Sequence, residues 1–240
     1  MKPNFKFFYF DILSSTNDKA REFAREGKSN VIVVAGKQKK GRGRFGREWV
    51  SSSGGSYMTI VLKDKDLDKI RYLTFIAAVA VARTIKKISD IDAKVKWPND
   101  VLIGHKKTCG ILTETISGNE NYALVGIGLN VNQKEFPNPI MRNSTSLKIE
   151  SNKKYNIKKI SKLIIEEFNN LYLYYNDGNY GKIKEAWKKY SHTLGKTVKA
   201  KTMSGDYIGN AVDLDDNCNL VLKLSNGNIK KIVEGDIFIV

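Results

Sequence analysis

Apolar and polar residues follow two different periods along the chain, and these periods predict both strands and helices. Apolar runs and alternating patterns predict strands over residues 5–13, 31–35, 57–62, 93–97, 101–103, 107–114 and 122–131. Apolar residues at helical spacing predict helices from the Ser14–Asp18 cap to Gly27, from Asp66 or Asp68 to Ile85, over 156–176 and around 183–190. These elements predict an α+β fold, in which helices back a mixed or antiparallel sheet.

The pattern changes near Gly195, where short strands replace long helices. From Thr197 onward, short apolar runs are separated by turn signals at 204–206, 215–217 and 225–227. This spacing predicts a small β-barrel of about 45 residues. The predicted domains are therefore residues 1–194 and residues 195–240.

The composition is that of a globular protein, with 41% hydrophobic and 28% charged residues. No stretch approaches the roughly 18 consecutive apolar residues of a membrane span, and the N-terminus lacks a signal-peptide pattern. Two cysteines and two histidines are too few for a disulfide framework or a zinc cluster. We therefore expect a cytoplasmic protein without a membrane segment or a structural metal.

The net charge of +16 reflects 41 basic against 25 acidic residues. Such an excess is typical of proteins that bind nucleic acid or another acidic partner, but a lysine-rich composition also produces it. The excess is mostly lysine spread over the chain, and no helix-turn-helix or aromatic RNA-binding motif accompanies it. A nucleic-acid-binding module is therefore kept as an alternative function.

The segment from Gly41 to Trp49, GRGRFGREW, carries the strongest local signal for a ligand. Glycine lets backbone N–H groups approach a ligand closely, and each arginine offers a fork of donors that suits phosphate or carboxylate. The Trp49 side chain could stack on a flat ring. A purine nucleotide satisfies both requirements.

Two other interpretations of this segment are weaker. Gly41, Gly43 and Gly46 match the spacing of a dinucleotide-binding loop, but that loop must open a helix whose N-terminus meets the pyrophosphate. Here the chain runs through a Ser-Gly segment into the predicted strand 57–62. A solvated basic loop is the other interpretation, but a run determined by composition alone would be rich in lysine and lack regular glycines.

Two glycines interrupt the predicted strand over residues 122–131. Gly126 and Gly128 weaken a strand interior, because glycine contributes no side chain to packing. Such glycines are favoured at a bulge or where another group approaches the backbone closely.

Taken together, the motifs resemble biotin protein ligase. The resemblance rests on these segments, in this order: Ser15-Thr16-Asn17, Gln38, Gly41 to Trp49, Lys96-Trp97-Pro98-Asn99-Asp100, Lys107-x-x-Gly110-Ile111-Leu112 and Gly126-Ile127-Gly128-Leu129-Asn130. Each motif is weak by itself, but their shared order is specific. The motifs cover residues 15–130, and the layout of elements extends the resemblance to Val240.

The resemblance implies a two-step reaction. Biotin attacks the α-phosphate of ATP to give biotinyl-5'-adenylate and pyrophosphate, and a lysine of a biotin carboxyl carrier domain then takes the biotinyl group. It also implies Mg²⁺, a class II synthetase-like sheet, an SH3-like C-terminal barrel and a homodimer as one oligomeric option. Larger regulatory members carry a DNA-binding domain ahead of the catalytic one, and we expect none here because the Ser-Thr-Asn motif starts at Ser15.

The resemblance also assigns roles to individual residues. The residues implied to bind biotin are Ser15, Thr16, Gln38, Gly41, Arg42, Lys107 and Gly110. Those implied to bind the nucleotide are Arg44, Arg47, Trp49, Asn99 and Asn130, and Asp100 is the implied Mg²⁺ ligand. Lys107, Arg44 and Arg47 are the implied catalytic residues, because charge must be neutralised where a carboxylate meets a triphosphate.

Two places depart from the pattern, and one related activity stays open. Phe45 stands where members of the family commonly have a basic residue, and Lys39-Lys40 replaces a smaller polar pair before the loop, so the positive charge of the loop is shifted toward its entrance. A lipoyl or octanoyl transferase of related fold is the alternative within the same fold class.

Overall fold

The computed structural model describes residues 3–64 and 66–240, and within these ranges seven strands form one mixed sheet. The strands are β1 (Lys6–Leu13), β2 (Val31–Gln38), β3 (Ser56–Lys63), β4 (Ala93–Lys96), β5 (Asp100–Ile103), β6 (Lys106–Ile116) and β7 (Tyr122–Leu129). Their spatial order is β1-β2-β3-β7-β6-β5-β4. Strands β1 and β2 are parallel, and the other neighbours pair antiparallel.

Helices cover both faces of this sheet. They are α1 (Thr16–Arg25), α2 (Ile70–Ser89), α3 (Leu147–Ser151), α4 (Ile157–Asn176) and α5 (Tyr180–Tyr190). Along β2, Ile32 and Val34 pack in the cluster that contains α2, α4 and α5, whereas Val31 and Val33 pack in the cluster that contains α1. Strand β2 therefore reads as a continuous apolar run because it is buried on both faces.

Five further described strands form a C-terminal antiparallel sheet. They are β8 (Thr197–Thr202), β9 (Gly205–Leu214), β10 (Leu220–Leu224), β11 (Ile229–Ile232) and β12 (Asp236–Ile239), in the spatial order β11-β10-β9-β8-β12. The predicted α+β class, with a mixed sheet followed by a small β-structure, is confirmed. The boundary between residues 194 and 195 stays a prediction.

The C-terminal sheet packs directly on the rest of the molecule. The indole Nε1 of Trp97, which is buried, donates to the carbonyl oxygen of Cys218 at 2.9 Å. The hydroxyl of Tyr72 donates to the carbonyl oxygen of Asp216, also at 2.9 Å. Apolar residues of both sheets belong to one continuous core cluster. These contacts fix the position of the C-terminal sheet against the large sheet. Loops of the C-terminal sheet can therefore contribute to a shared site.

The observed helix starts follow the capping chemistry of the sequence. The carboxylate of Asp66 accepts from Asp68 N, and a short 3-10 turn at Leu67–Lys69 leads into α2. Helix α3 was not predicted, because the segment between β7 and α4 has no clear apolar period. Lys65 lies outside the described residues. None of the helices in the described part of the chain is both long and apolar enough to cross a bilayer.

Candidate active site

The predicted site residues come together around a cavity of about 230 Å³, which lies at the N-terminus of α1 and over strands β6 and β7. The predicted residues that line it are Ser15, Thr16, Gln38, Arg42, Arg44, Arg47, Trp49, Asn99, Asp100, Lys107, Gly110 and Asn130. They are drawn from six separate sequence segments. Their assembly at a single concave surface follows from the sheet order, which brings β6 and β7 beside the segment after β2.

Gly41 is placed behind this lining rather than in it. A Cβ atom at Gly41 would overlap the carbonyl oxygen of Trp49 and the hydroxyl of Ser51, and it would lie 3.0 Å from Gln38 Nε2. Only glycine allows the backbone to approach these atoms so closely. Gly41 therefore fixes the start of the glycine-arginine loop against the residues that follow Trp49.

One end of the cavity is a preorganised polar network at the N-terminus of α1. The Ser15 hydroxyl caps the helix by accepting from Asn17 N at 3.2 Å. Gln38 Oε1 accepts from both the backbone N–H and the hydroxyl of Thr16, at 2.7 and 3.0 Å. Gln38 Nε2 in turn donates to Ser51 Oγ at 2.8 Å. This end offers fixed donors and acceptors of the kind that bind a small polar ring.

The floor of the cavity is a pair of glycines on neighbouring strands. Gly110 of β6 lies opposite Gly128 of β7, and the Trp49 ring rests on both. A Cβ at Gly110 would lie 3.0 Å from Trp49 Cζ3, and one at Gly128 would overlap Trp49 Nε1. Gly126 similarly leaves room for Asn17, since its Cβ would lie 2.5 Å from Asn17 Oδ1. Both glycines of β7 thus serve close approach, and the alternative of a bulge does not occur because β7 pairs in regular register with both neighbours.

Apart from Asp100 Oδ1, which lies 2.5 Å from Lys107 Nζ, two buried polar atoms of the lining have no partner among the described residues. They are Nε1 of Trp49, a donor, and Oδ1 of Asn130, an acceptor. The other end of the Asn130 amide is fixed, because Nδ2 donates to the carbonyl oxygen of Thr145 at 3.0 Å. Buried polar atoms are normally paired, so unpaired atoms that line a cavity indicate a site where a ligand supplies the partner.

We expect Gly128→Ala to displace the Trp49 ring, because the added methyl group occupies the space of the indole nitrogen. The other two tryptophans, Trp97 and Trp187, are buried elsewhere. Tryptophan fluorescence should therefore shift, and titration with nucleotide should show affinity reduced about tenfold or more. Gly104→Ala is a control, since Gly104 lies in an open turn, although its positive φ adds local strain. Unchanged fluorescence and affinity in Gly128→Ala would contradict the described floor.

The cationic side chains of the lining each have an acidic or polar partner within the protein. Lys107 Nζ lies 2.5 Å from Asp100 Oδ1 and 5.1 Å from the centre of the Trp49 ring. Arg42 Nη1 donates to Asp18 Oδ1 at 2.7 Å, and its Nη2 lies 3.7 Å from Glu114 Oε2. A bound anion would therefore exchange with, or add to, partners that already hold these cations in position.

Two of the loop arginines, Arg44 and Arg47, contact residues 235–236 beside the C-terminal sheet. Arg44 Nη1 donates to Asn99 Oδ1 and to the carbonyl oxygen of Gly235, both at 3.4 Å, and burial lowers the pKa of the Arg44 guanidinium. Arg47 forms a two-pronged pair with the Asp236 carboxylate, at 3.0 and 2.5 Å. Hydrogen bonding to Arg47 lowers the pKa of Asp236, and the same bond raises the pKa of Arg47.

Phe45, where the sequence departs from the pattern, connects these two arginines. The guanidinium carbon of Arg44 lies 4.6 Å from the centre of the Phe45 ring, and that of Arg47 lies 5.8 Å from it. Phe45 adopts a left-handed backbone conformation with φ of 56°. The aromatic ring therefore orders the loop without adding charge to it.

Sequence reasoning missed several residues at the site. Asn17 Nδ2 donates to Glu114 Oε2 at 2.6 Å, and Thr59 Oγ1 donates to Asn17 Oδ1 at 2.6 Å, so Glu114 and Thr59 support the Ser-Thr-Asn segment. Asp236 enters the lining from the C-terminal sheet. Of these four residues, Asn17 alone belongs to one of the motifs found in the sequence, Ser15-Thr16-Asn17. The partner residues had no local signal, because they meet the motif through strand pairing and domain packing.

The donors present suit Mg²⁺ only together with ligands from a substrate. No group of three or more His, Cys, Asp or Glu side chains within residues 3–64 and 66–240 is arranged to hold a metal ion. Asp100 and the unpaired Oδ1 of Asn130 nevertheless provide oxygen atoms at the lining. Mg²⁺ prefers oxygen and commonly takes one or two protein ligands plus phosphate oxygens and waters, so these residues fit such an ion.

Sequence profiles match the chain in two parts. The profile described as Biotin/lipoate A/B protein ligase family matches residues 9–132, and the profile described as Biotin protein ligase C terminal domain matches residues 193–240. The first match contains the glycine-arginine loop and the glycine pair. The second contains Asp236.

Individual relatives agree with the profiles. The chain is 38% identical over 236 residues to the bifunctional ligase/repressor BirA of Bacillus subtilis, covering 95% of this chain and 72% of that protein. It is 28% identical to the biotin–[acetyl-CoA-carboxylase] ligase of Paracoccus denitrificans, covering 87% and 90% of the two chains. The solved structure of the biotin protein ligase of Aquifex aeolicus in complex with biotin and ATP aligns with a TM-score of 0.87 and 28% identity, covering 98% of both chains. On these matches, the chain belongs to the biotin/lipoate A/B protein ligase family.

Proposed function

We propose that this protein is a biotin protein ligase that activates biotin with ATP and transfers it to a lysine of a biotin carboxyl carrier domain. The observation that carries the proposal is the order of groups around the cavity. A neutral polar network lies beside the start of α1, Arg44 and Arg47 lie against Asn99 and residues 235–236, and Lys107 lies over the Trp49 ring on the glycine floor. This order matches the ureido ring, the triphosphate and the carboxylate that joins them.

In the first step, a carboxylate oxygen of biotin attacks the α-phosphorus of ATP. The new C–O–P linkage forms as the bond from the α-phosphorus to the bridging oxygen breaks, and pyrophosphate leaves with that electron pair. Both reactants are anions, so the barrier falls when fixed cations neutralise them at the point of contact. We assign this role to Lys107, whose Nζ lies 2.5 Å from Asp100 Oδ1.

In the second step, the lysine amine of the acceptor attacks the acyl carbon of the adenylate. The amide bond forms, AMP leaves, and the amine loses a proton. The adenylate is a reactive mixed anhydride, so the glycine-arginine loop must keep water from it until the acceptor arrives. Arg44 and Arg47 suit this role, because both lie in the loop and line the cavity.

Mg²⁺ is proposed to accompany ATP, with Asp100 as the protein ligand. Bound there, the ion would neutralise charge on the phosphates. Lys107 would still be required to orient the reacting carboxylate and phosphate, and Arg44 and Arg47 would hold the phosphates and the bound adenylate. The acceptor, the homodimer and the cytoplasmic location stay predictions, and the name of the Paracoccus denitrificans relative supports a carboxylase as acceptor.

The direct test is exchange of labelled pyrophosphate into ATP in the presence of a carboxylic acid. We expect exchange with biotin and little with lipoate or octanoate. Transfer should then label a purified carrier domain on streptavidin blots, while the same domain with its acceptor lysine replaced by arginine stays unlabelled. Exchange with lipoate or octanoate alone would favour the lipoyl or octanoyl alternative. If the protein catalyses no pyrophosphate exchange but binds RNA or DNA tightly, the nucleic-acid-binding module would be favoured.

A further inference from the structure

We propose that Asp236 is a positioning residue for the nucleotide end of the cavity, acting as an exchangeable latch on Arg47. Asp236 holds Arg47 in the structure; the triphosphate would take Arg47 from it, and Asp236 would take Arg47 back once pyrophosphate has left. The proposal rests on the proposed ligase function. It assigns the C-terminal sheet a part in the adenylation step.

The backbone holds Asp236 rigidly at the cavity. Asp236 opens strand β12 and pairs with Lys201 of β8. The preceding Gly235 has φ of 145°, and a Cβ there would overlap the carbonyl oxygen of Lys201. Because only glycine fits this approach, the backbone can lie against β8 here, and this path places Asp236 at the cavity.

The contact with Arg47 is oriented and reaches across the molecule. Two nitrogens of the guanidinium face two carboxylate oxygens, at 3.0 and 2.5 Å, and the partners are 189 residues apart in sequence. Arg44 contacts the adjacent Gly235 carbonyl. The segment 235–236 therefore holds two of the three loop arginines that line the cavity.

The exposure of the pair favours exchange over a static role. The Arg47 side chain is 62% exposed and the Asp236 side chain 33% exposed, so the pair lies in a well-solvated setting. Exposed ion pairs contribute little to folding stability and are readily replaced by a stronger anion. The pair is thus poorly suited to stabilising the fold and well suited to changing partners.

The charges at the lining determine the direction of exchange. Asp236 lies where the phosphates would enter, and an uncompensated carboxylate there would repel them. The triphosphate carries several negative charges and competes well for Arg47. The adenylate keeps a single phosphate charge near Arg44, so Arg47 is free to return to Asp236 and hold the loop closed.

Asp236→Asn tests the latch, because it removes the charge and nearly preserves the shape. We expect the KM for ATP in pyrophosphate exchange to fall about threefold to tenfold, because Arg47 is free and the repulsion is gone. We expect preformed adenylate to dissociate about threefold to tenfold faster, because nothing draws Arg47 back. Asp236→Glu should restore both values at least partly. A purely structural role would weaken ATP binding and adenylate retention together.

Asp206→Asn is the matched control. Asp206 pairs with Lys199 at 2.9 Å on the same C-terminal sheet and does not line the cavity. This variant should leave both values at those of the parent enzyme. If Asp236→Asn raises the KM for ATP, or leaves both quantities unchanged, the latch is wrong.

A ligand-free measurement separates failure of the latch from failure of the ligase assignment. Trypsin cleaves after an arginine when the surrounding segment opens enough to enter its active site, and the Asp236 contact holds the loop that carries Arg47. Cleavage after Arg47 should therefore be faster in Asp236→Asn than in the parent or in Asp206→Asn. Mass spectrometry identifies the cut. Equal cleavage in the three proteins would overturn the latch even if the parent enzyme catalyses no exchange. A parent enzyme that is inactive but shows the cleavage difference would overturn only the ligase assignment.

Discussion

Lys107→Ala is expected to slow biotin-dependent pyrophosphate exchange by roughly a hundred- to thousand-fold. Loss of one preorganised charge at the reacting atoms typically raises the barrier by about 3–4 kcal/mol. Lys107 is placed for this effect, because it lies over Trp49 and is oriented by Asp100 at 2.5 Å. The variant also leaves the Asp100 carboxylate without its partner, which adds repulsion toward the substrate anions.

The neighbouring Lys106 provides a control for this prediction. Lys106→Ala removes the same charge one residue away, from an exposed position outside the cavity lining. Its exchange rate should stay within a few-fold of the parent enzyme, and both variants should unfold near the parental temperature. Survival of exchange in Lys107→Ala within a few-fold would remove Lys107 from the catalytic residues.

Arg44→Gly is expected to make adenylate but to release it about tenfold to hundredfold faster. The substitution removes a fork of charged donors, each typically contributing about 1.5–3 kcal/mol, and adds flexibility to a loop that already contains three glycines. Arg44 also contacts Asn99 and the Gly235 carbonyl, so its loss detaches the loop from two parts of the wall. Free adenylate should then biotinylate unrelated lysines, seen as streptavidin labelling of added albumin.

Lys40→Gly separates lost charge-assisted contacts from added flexibility. Lys40 is exposed, lies next to the same loop, and does not line the cavity. This variant should hold its adenylate and label only the true acceptor. If Arg44→Gly also retains its adenylate and leaves albumin unlabelled, the retaining role belongs to Arg47 or Lys107.

Local sequence patterns predicted most of the secondary structure for a clear reason. Helix α4 was predicted over 156–176 and occupies Ile157–Asn176, because its apolar face repeats at helical spacing and Asn156 caps its first turn. The segment between β7 and α4 was not predicted. Leu147 there is buried by contacts with distant elements, and such contacts leave no period in the sequence.

The residues of the site also fall into two groups: those that a local sequence feature marked, and those that only tertiary contacts revealed. Gly128 was noticed in the sequence because a glycine inside a strand is unusual, and the reason proved to be the ring of Trp49, which lies 79 positions earlier in the chain. Lys107 and the loop arginines were noticed because their residue types suit anions. Their acidic partners were not equally predictable from the sequence. Asp100 belongs to the Lys96–Asp100 motif, whereas no local feature marked Asp236.

The sequence by itself determined the alternation of strands and helices, the N-cap chemistry of residues 14–18 at the start of α1, and the residue types that suit a polar ring and phosphates. These properties depend on backbone periodicity and hydrogen bonds between near neighbours, so a short stretch of chain contains the information. The tertiary structure alone decided that Trp49 rests on Gly110 and Gly128, and that Asp236 holds Arg47. Such contacts depend on distances in space that strand pairing and the docking of the C-terminal sheet create, and Coulomb attraction and steric fit act through those distances.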